Sequence, residues 1–425
     1  LIDCGLEQGG KIFLDKNREP FPYKPAEIEV LLITHAHIDH IGRIPKLYKD
    51  GFRGMILSTP ESRSISEIML LDSLGVLGKE AKEAGEEPIY DEEDVVGAML
   101  LWQTEDYHKA RKITSDFEVF FKDAGHILGS SIIEVRYADK KIVFTGDLGN
   151  SPAPILRDTE EVADADYLVI ESVYGDKEHE SKEDRRRHLQ NIISDGVRRG
   201  GAVIVPAFSL ERTQEMLHEL NHLVEEKKIP RIPIFIDSPL AIKVTDIYKK
   251  RKELFKKDVK DEIAAGDDIF NFPGLVMTER TEESRAIRNV PNPKLIIAGS
   301  GMSNGGRILH HEKEYLPDPK STLLIVGFQA PGSLGRQLAD GAKEVMIDGE
   351  KVRVRAKVET IYGYSSHKDS SGLVDFVEKT AEKVRKVFVV MGEPKASLFL
   401  VQRLRDYLGV DAVAPNKGDV FELET

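Results

Sequence analysis

The sequence is poor in cysteine and tryptophan, with one of each in 425 residues. A single cysteine, Cys4, cannot form an internal disulfide, which favours a reducing compartment such as the cytoplasm. No apolar run approaches the roughly 20 residues that a membrane-spanning helix needs, so no membrane partner is expected. The chain opens on Leu1-Ile2-Asp3, without methionine and already in a strand-like stretch, so we expect an upstream segment, with its own N-terminal strands, to precede it.

Positively charged residues are fewer than negatively charged ones. Lysine and arginine number 60 against 73 aspartates and glutamates, which gives a net charge of -13. A negative chain repels nucleic acid at long range unless basic residues gather locally, so the charge argues mildly against a nucleic-acid substrate. A length of 425 residues with 40% apolar content is typical of two domains rather than one.

The first part of the chain, residues 1 to about 176, contains short apolar stretches that end in polar residues, for example 30–34 and 141–145. Such stretches are typical of strands that carry chemistry at their ends. Residues 61–112 are rich in Glu, Lys, Ala and Leu with helical spacing and a break at 85–88. They predict surface helices without a catalytic grouping.

From about residue 180 to 345 the pattern becomes strand, polar turn and helix, repeated. The predicted strands and the helices that follow them are 202–205 with 210–226, 232–236 with 239–255, 294–298 with 306–315, and 322–326 with 333–340. This alternation predicts a mainly parallel sheet flanked by helices, with ligands at the carboxyl ends of the strands. The charged stretch 250–268 is interpreted as a solvated helix face without a function.

The run His35-Ala36-His37-Ile38-Asp39-His40 follows directly on a predicted strand, and a helix is expected to begin near Ile41. Three imidazoles and a carboxylate this close together are costly without a cation. Imidazole and carboxylate are donors that Zn²⁺ prefers, whereas Mg²⁺ and Ca²⁺ call for oxygen ligands. His126 and Asp147, each near glycine at a strand edge, can supply further ligands, although such residues are more often simple turn residues.

The order of these residues resembles the metallo-β-lactamase superfamily, and Asp3 matches the first motif of that superfamily. The resemblance implies an αβ/βα sandwich that holds two zinc ions. It assigns His35, His37 and His126 to the first ion, Asp39 and His40 to the second, and Asp147 as the bridge between them. The superfamily hydrolyses β-lactams, thioesters, lactones and phosphodiesters, so these motifs alone do not select a substrate.

The stretch 169–180, which contains Glu171, is similar to motif A of the β-CASP nucleases, and residues 364–369, which contain His367, resemble motif B. The resemblance implies a metallo-β-lactamase domain in two parts, 1–176 and 363–425, with an inserted α/β β-CASP domain at 177–362. It covers essentially the whole chain. It is close to compact prokaryotic relatives of the nuclease subunit of the cleavage and polyadenylation factor, and more distant from RNase J.

One position departs from the family pattern. Motif C has a histidine before Gly-Glu as a ligand of the second zinc, but this chain has Met391 before Gly392-Glu393. A thioether is a poor partner for Zn²⁺, so we expect the second ion to be held less firmly.

The resemblance implies a zinc-dependent ribonuclease that cleaves single-stranded RNA through a metal-bound hydroxide and leaves a 5′-phosphate. Asp39, Glu171 and His367 form its catalytic set, with His367 as proton donor to the leaving oxygen and Glu171 orienting it. A DNA or structure-specific nuclease and a weakly active or inactive RNA-binding paralogue are the alternatives, and a small-molecule hydrolase is disfavoured by the insert. Endonuclease or 5′-exonuclease action and a homodimeric state stay open.

The glycine-rich loop 300–307 follows a predicted strand and precedes a helix, so its N–H groups and the helix dipole are candidates for holding an RNA phosphate. A tight turn that serves packing alone is an equally good reading of the loop. Basic residues such as Lys343 would line the cleft. The candidate substrate-binding residues are Arg212, Ser300, Gly301, Ser303, Gly305, Gly306, Arg307, Arg336, Ser365 and Ser366.

Overall fold

The protein is described here by a computed structural model that covers residues 1–7 and 11–424. The strands, in chain order, are β1 (Val30–Leu32), β2 (Met55–Ser58), β3 (Trp102–Thr104), β4 (Ala110–Lys112), β5 (Phe117–Asp123), β6 (Ser131–Tyr137), β7 (Lys140–Phe144), β8 (Tyr167–Glu171), β9 (Ala202–Pro206), β10 (Ile234–Asp237), β11 (Leu275–Met277), β12 (Lys294–Ala298), β13 (Thr322–Val326), β14 (Glu344–Ile347), β15 (Glu350–Arg353), β16 (Lys357–Ile361), β17 (Lys386–Val390) and β18 (Ala412–Val413). The helices are α1 (Lys11–Arg18), α2 (Ile38–Ile41), α3 (Ile44–Lys49), α4 (Pro60–Ala84), α5 (Glu92–Leu100), α6 (Lys182–Arg199), α7 (Arg212–Glu225), α8 (Pro239–Lys249), α9 (Lys257–Ala264), α10 (Thr281–Ala286), α11 (Ile308–Tyr315), α12 (Leu334–Ala339), α13 (Ser370–Glu378) and α14 (Pro394–Leu408).

The chain divides into two compact units. The first unit comprises residues 1–6, 19–178 and 366–425, and the second comprises 179–365 together with the described part of 7–18. The sequence placed the divisions after residues 176 and 362, and it did not associate α1 with the second unit. Each unit has its own sheets and core.

The first unit contains two sheets. Strands β1, β2 and β3 form a parallel sheet, and the other sheet has the order β18-β17-β8-β7-β6-β5-β4. Neighbours from β4 to β7 run antiparallel, whereas β7, β8, β17 and β18 pair in parallel. The sheet that carries β8 and β17 therefore brings the ends of two distant chain segments side by side.

Alternating side chains show that the two sheets of this unit are stacked. Ile133 of β6 packs with Leu32 of β1 and Leu57 of β2 in one cluster. Its neighbour Ile132 points to the opposite face, into the cluster that contains side chains of α13 and α14. Because successive strand residues face opposite sides of a sheet, β6 lies between the other sheet and a helical layer.

The outer face of the three-stranded sheet is covered in the same way. Leu31 of β1 packs with Leu47 of α3, Leu70 of α4 and Val95 of α5. The layers of the unit therefore follow the order helices, sheet, sheet, helices. The predicted αβ/βα sandwich is confirmed.

The second unit is built on a parallel sheet of order β11-β10-β12-β9-β13-β16, with a separate hairpin formed by β14 and β15. Strands β9, β12 and β13 are buried along their whole length, as parallel strands covered on both faces should be. One face packs on Leu309 of α11 and Leu338 of α12. On the other face, Val203 lies beside Gly196 of α6. The predicted parallel α/β insert is confirmed.

Several element boundaries differ from the prediction. Helices occupy residues 60–100 as expected apart from the break, but β3 and β4 are strands, so the helical prediction was wrong for residues 102–104 and 110–112. Each has three residues, which is too short for a periodic pattern to separate from a helix. The predicted helix 239–255 ends earlier, at Lys249. None of the helices in the described residues is long and apolar enough to cross a membrane.

Candidate metal centre

The histidine run begins three residues after the end of β1, an edge strand of the three-stranded sheet. The helix expected near Ile41 begins three residues earlier, at Ile38, so Asp39 and His40 belong to its single turn. His35 and His40 are buried, whereas Asp39 is exposed. The short helix therefore turns the last histidine of the run back toward the first.

Four donor atoms from three separate loops converge at one point. His37 Nδ1 lies 3.1 Å from His35 Nε2 and 3.2 Å from His126 Nε2. Asp147 Oδ2 lies 3.4 Å from His35 Nε2 and 3.5 Å from His126 Nε2. Ligands at the corners of a tetrahedral zinc site, with bonds of about 2.1 Å, stand about 3.4 Å apart. The spacing of these donors fits a zinc ion.

Hydrogen bonds at the far side of two rings fix which nitrogen faces this point. His126 Nδ1 donates to the carbonyl oxygen of Ser366 at 3.1 Å. The Thr34 hydroxyl donates to Asp3 Oδ2 at 2.7 Å, so its oxygen accepts from His35 Nδ1 at 3.0 Å. A neutral imidazole that donates through one nitrogen presents a lone pair at the other. The Nε2 lone pairs of His35 and His126 therefore point at the centre, as metal ligands require.

A second position lies between His40 and Asp147. His40 Nδ1 donates to Asp3 Oδ2 at 2.7 Å, which leaves Nε2 directed at Asp147 Oδ1, 3.5 Å away. Both His40 Nε2 and Asp147 Oδ1 are buried, and neither has a hydrogen-bond partner in the described parts of the chain. Buried polar atoms are costly unless they are paired. A cation shared by these two atoms would satisfy both, which fits a second ion bridged by Asp147.

Burial sets the charge state of the first position. Burial lowers the pKa of His37 to about 4 and holds the pKa values of His35 and His126 well below the ordinary value. These three imidazoles are therefore neutral at physiological pH. Burial alone would raise the pKa of Asp147, but the neighbouring His40 outweighs it and holds that pKa well below its usual range, so the carboxylate is charged. Neutral imidazoles and one carboxylate are the ligand forms that bind zinc.

Glu171 and His367 form a pair beside Asp147. Glu171 ends β8, is completely buried and accepts a hydrogen bond of 2.6 Å from the Leu148 amide. His367 Nδ1 lies 3.2 Å from both of its carboxylate oxygens and 3.9 Å from Asp147 Oδ2. Burial lowers the pKa of His367, but the Glu171 and Asp147 carboxylates outweigh it and raise that pKa to about 9. The pair thus places a proton-carrying imidazole at the edge of the metal centre.

Met391 directly follows β17, whose last residue, Val390, is the register partner of Glu171. Its side chain is 51% exposed and its backbone is left-handed, with a φ of 67°. The position is thus beside the centre by register, with a side chain that offers no nitrogen donor.

The basic residues predicted to bind substrate are engaged within the second unit. Arg212 is buried and pairs with Glu215. Arg307 Nη1 lies 2.8 Å from Asp237 Oδ1 and 3.0 Å from the carbonyl oxygen of Thr278, to which it donates. These cations are already neutralised by carboxylates, so their role toward phosphate stays a prediction.

The other two predicted cations lie at the surface. Arg336 is ion-paired with Asp340 at 2.9 Å, and Lys343 is exposed. Their role as substrate contacts stays a prediction.

The predicted glycine-rich loop is a turn held by contacts within the loop and with Gln329 and Glu312. Ser300 Oγ accepts from the Asn304 amide at 3.1 Å, and the Gly301 carbonyl accepts from Gln329 at 3.0 Å. Ser303 is buried and donates to Glu312 at 2.5 Å. Gly305 and Gly306, the other predicted residues of the loop, directly precede Arg307. Helix α11 begins at the next residue, Ile308.

Ser365 and Ser366, also predicted to bind substrate, fall in different units. Ser365 is a buried residue of the second unit. Ser366 belongs to the first unit, where its carbonyl accepts from His126 and from the Asn150 amide. The structure therefore gives Ser366 a positioning contact with a metal-ligand candidate through its backbone.

The residues that orient the ligands were not predicted from the sequence. Thr34 contacts His35 and Asp3, and Asp3 was recognised only as a motif match. The one available signal was that Thr34 directly precedes the histidine run.

Comparisons with known families identify three matching regions of the chain. The metallo-β-lactamase superfamily matches residues 1–52, the β-CASP domain residues 213–338, and the family described as the RNA specificity domain of Zn-dependent metallo-hydrolases residues 351–415. These matches and the site define the class as a metal-dependent hydrolase.

Similar curated proteins cover the chain almost completely. A ribonuclease of Thermus thermophilus is 35% identical over 94% of this chain and 89% of its own length. The RNase J-like protein of Methanocaldococcus jannaschii is 31% identical over 100% and 94%. The transcription termination factor FttA of Methanosarcina mazei is 29% identical over 97% of this chain, which spans 66% of FttA. The chain belongs to the β-CASP family of the metallo-β-lactamase superfamily.

Proposed function

We propose that this chain is a ribonuclease that hydrolyses phosphodiester bonds of single-stranded RNA with zinc as its cofactor. The observation that carries the proposal is the convergence of His35, His37, His126 and Asp147 beside the Glu171–His367 pair. RNA as the substrate is supported by relatives named ribonuclease and RNase J-like and by the matched RNA specificity domain.

Zinc is proposed because the donor set joins imidazole nitrogens to a carboxylate at tetrahedral spacing. His35, His37, His126 and Asp147 would hold one ion, and Asp39, His40 and Asp147 the other. Bound there, zinc supplies an activated water at neutral pH and neutralises charge on the attacked phosphate. Asp39 joins the second position through its place in the motif, since its carboxylate is exposed in the structure.

His367 is proposed to give a proton to the leaving 3′-oxygen, so that the product carries a 5′-phosphate. Its Nδ1 atom is held 3.2 Å from Glu171, which fixes the ring and favours the protonated form. The backbone N–H groups of the 300–307 loop, with Arg212, Arg336, Ser365 and Ser366, are proposed to contact the RNA backbone.

A cytoplasmic location is proposed from the lone cysteine alone.

Met391 supports one alternative, a weakly active or inactive RNA-binding paralogue. The second ion position has no histidine at motif C, and the exposed thioether does not replace it. Against this alternative, each of the other ligand positions keeps a residue that can bind zinc.

The proposal is tested with labelled substrates of matched sequence: single-stranded RNA, double-stranded RNA, single-stranded DNA and double-stranded DNA. We expect zinc-dependent cleavage of single-stranded RNA, with a 5′-phosphate on the downstream product. Cleavage of DNA without cleavage of RNA would point to a DNA nuclease of the same fold. Binding of RNA without cleavage of any substrate would support the paralogue.

A further inference from the structure

The second unit contains a group of potential metal ligands that the proposed reaction does not use. His218 and His222 are one helical turn apart on α7, and Glu262 is on α9. Donor atoms of the three side chains all lie within 4.8 Å of one another. Glu262 belongs to the charged stretch 250–268, to which the sequence analysis assigned no function.

The two rings face the same carboxylate oxygen. Glu262 Oε2 lies 3.0 Å from His218 Nε2 and 3.3 Å from His222 Nε2. The ring centroids are 4.4 Å apart because residues at positions i and i+4 of a helix lie on the same face. These separations are close to the roughly 3.4 Å between ligands of a tetrahedral zinc ion with bonds of about 2.1 Å.

The three side chains lie at the boundary between the protein interior and solvent. His218 is almost buried, with a side chain 6% exposed, whereas His222 and Glu262 are 24% and 33% exposed. The position is therefore enclosed on one side and open to solvent on the other. Two nitrogens and one carboxylate oxygen form a ligand set for Zn²⁺ that leaves the fourth position for water. Mg²⁺ and Ca²⁺ prefer oxygen ligands alone.

An ion at this position would fasten α9 to α7. Val259 is the buried residue of α9, whose other described side chains lie at the surface or partly exposed. Beyond the helix, Asp267 accepts a hydrogen bond of 2.8 Å from Asn221 of α7, three residues after His218. These polar contacts add to the burial of Val259 in holding this region against α7.

We propose that His218, His222 and Glu262 form a zinc site that holds α9 against α7 and does not take part in the reaction. It is independent of the proposed function, since all three ligands belong to the second unit and none to the histidine run. Zinc bound there stabilises the folded protein because the unfolded chain does not hold the three ligands together.

The test compares the full-length wild type with Glu262→Gln, His222→Gln and the matched control His310→Gln, an exposed histidine on α11. Each protein is equilibrated with excess zinc and freed of unbound metal, and zinc per chain and the unfolding temperature are measured. We expect Glu262→Gln and His222→Gln to lose one equivalent of zinc and the zinc-dependent rise in unfolding temperature. The control should match the wild type.

Glu262→Gln separates an ion site from a hydrogen-bonded cluster. Its amide oxygen can still accept from an imidazole N–H, so a cluster without metal would tolerate the change, whereas a zinc site loses its anionic ligand. If His222→Gln does not fold, Glu262→Gln at the partly exposed position decides the matter. Zinc content equal to wild type in Glu262→Gln, with the same response of the unfolding temperature to zinc, would overturn the proposal.

Discussion

Asp3 and Thr34 decide which nitrogen of two imidazoles is available to a metal. Asp3 accepts from the Thr34 amide at 2.8 Å, from the Thr34 hydroxyl at 2.7 Å and from His40 Nδ1 at 2.7 Å. These contacts direct His35 Nε2 and His40 Nε2 toward Asp147. Partners of this kind, outside the ligands themselves, tune metal affinity by fixing the tautomer and orientation of the ring.

Asp3→Asn should therefore weaken zinc binding about 10- to 100-fold. Asparagine has one acceptor oxygen in place of two, so it cannot accept from both Thr34 groups and from His40. Zinc affinity is measured by competition with a chelator, and the matched control is Asp116→Asn, an exposed aspartate of the same unit. Unchanged affinity in Asp3→Asn would show that Asp3 serves packing only.

Met391→His restores the nitrogen donor that motif C has in the family. If Met391 limits the second ion, the variant should bind zinc closer to two equivalents at the metal centre and cleave RNA faster than wild type. The measurement is zinc per chain together with the rate of RNA cleavage. Two firmly bound ions in the wild-type centre, with no gain in Met391→His, would mean that the second position does not need this ligand.

The sequence could place most of the candidate ligands but not their supports. His35, His37 and His40 stand in one short run, so their pattern is visible without a structure. The contact of Arg307 with Asp237 is not visible, because the two residues are 70 positions apart and meet only through the folded second unit. The same holds for Glu262, which reaches the two histidines of α7 from 40 positions beyond His222.

At the scale of elements, the metal centre depends on two loops that approach each other closely. One loop follows β5 and carries Gly125 and His126, and the other follows β7 and carries Asp147 and Gly149. A Cβ atom at Gly149 would lie 1.9 Å from the Gly125 carbonyl oxygen and 2.9 Å from the His126 amide nitrogen. This contact sets the distance between two of the ligands.

Gly149→Ala should accordingly destabilise the protein by about 1–3 kcal/mol, since the added methyl group must push the loops apart. It should also weaken zinc binding, because His126 and Asp147 lie on the displaced loops. The control is Gly78→Ala on α4, where a Cβ meets nothing within 4 Å and alanine favours the helix. Unfolding in denaturant measures the stability of the two variants. Equal stability of Gly149→Ala and Gly78→Ala would contradict the role of the contact.

Strand patterns explain what could be predicted at this scale. The placement of Ile132 and Ile133 in two different clusters is seen only in the structure, because both residues are apolar. The largely apolar strands β9, β12 and β13, each followed by a helix, do predict a buried parallel sheet. The three-residue strands β3 and β4 lie beside helical sequence and were missed, since their pairing with β2 and β5 is decided by the sheet rather than by local pattern.

For the whole molecule, net charge predicted the substrate class less well than the order of the motifs did. A charge of -13 argued mildly against nucleic acid, yet similar proteins are named ribonucleases. Net charge averages over a surface, whereas a phosphate meets only the groups at its own site. The association of α1 with the second unit was also beyond prediction, because it depends on tertiary contacts of a segment between two parts of the first unit.

The central claim is that Asp147 and the imidazoles around it bind the zinc that makes this chain a ribonuclease. The most direct measurement follows cleavage of labelled single-stranded RNA by chelator-treated wild type and Asp147→Asn as zinc is added back. We predict that cleavage by wild type returns with zinc, and that the variant, which keeps the shape of the side chain but loses its charge, stays inactive. Cleavage by the chelated wild type at its full rate, or recovery of Asp147→Asn to the wild-type rate, would contradict the claim.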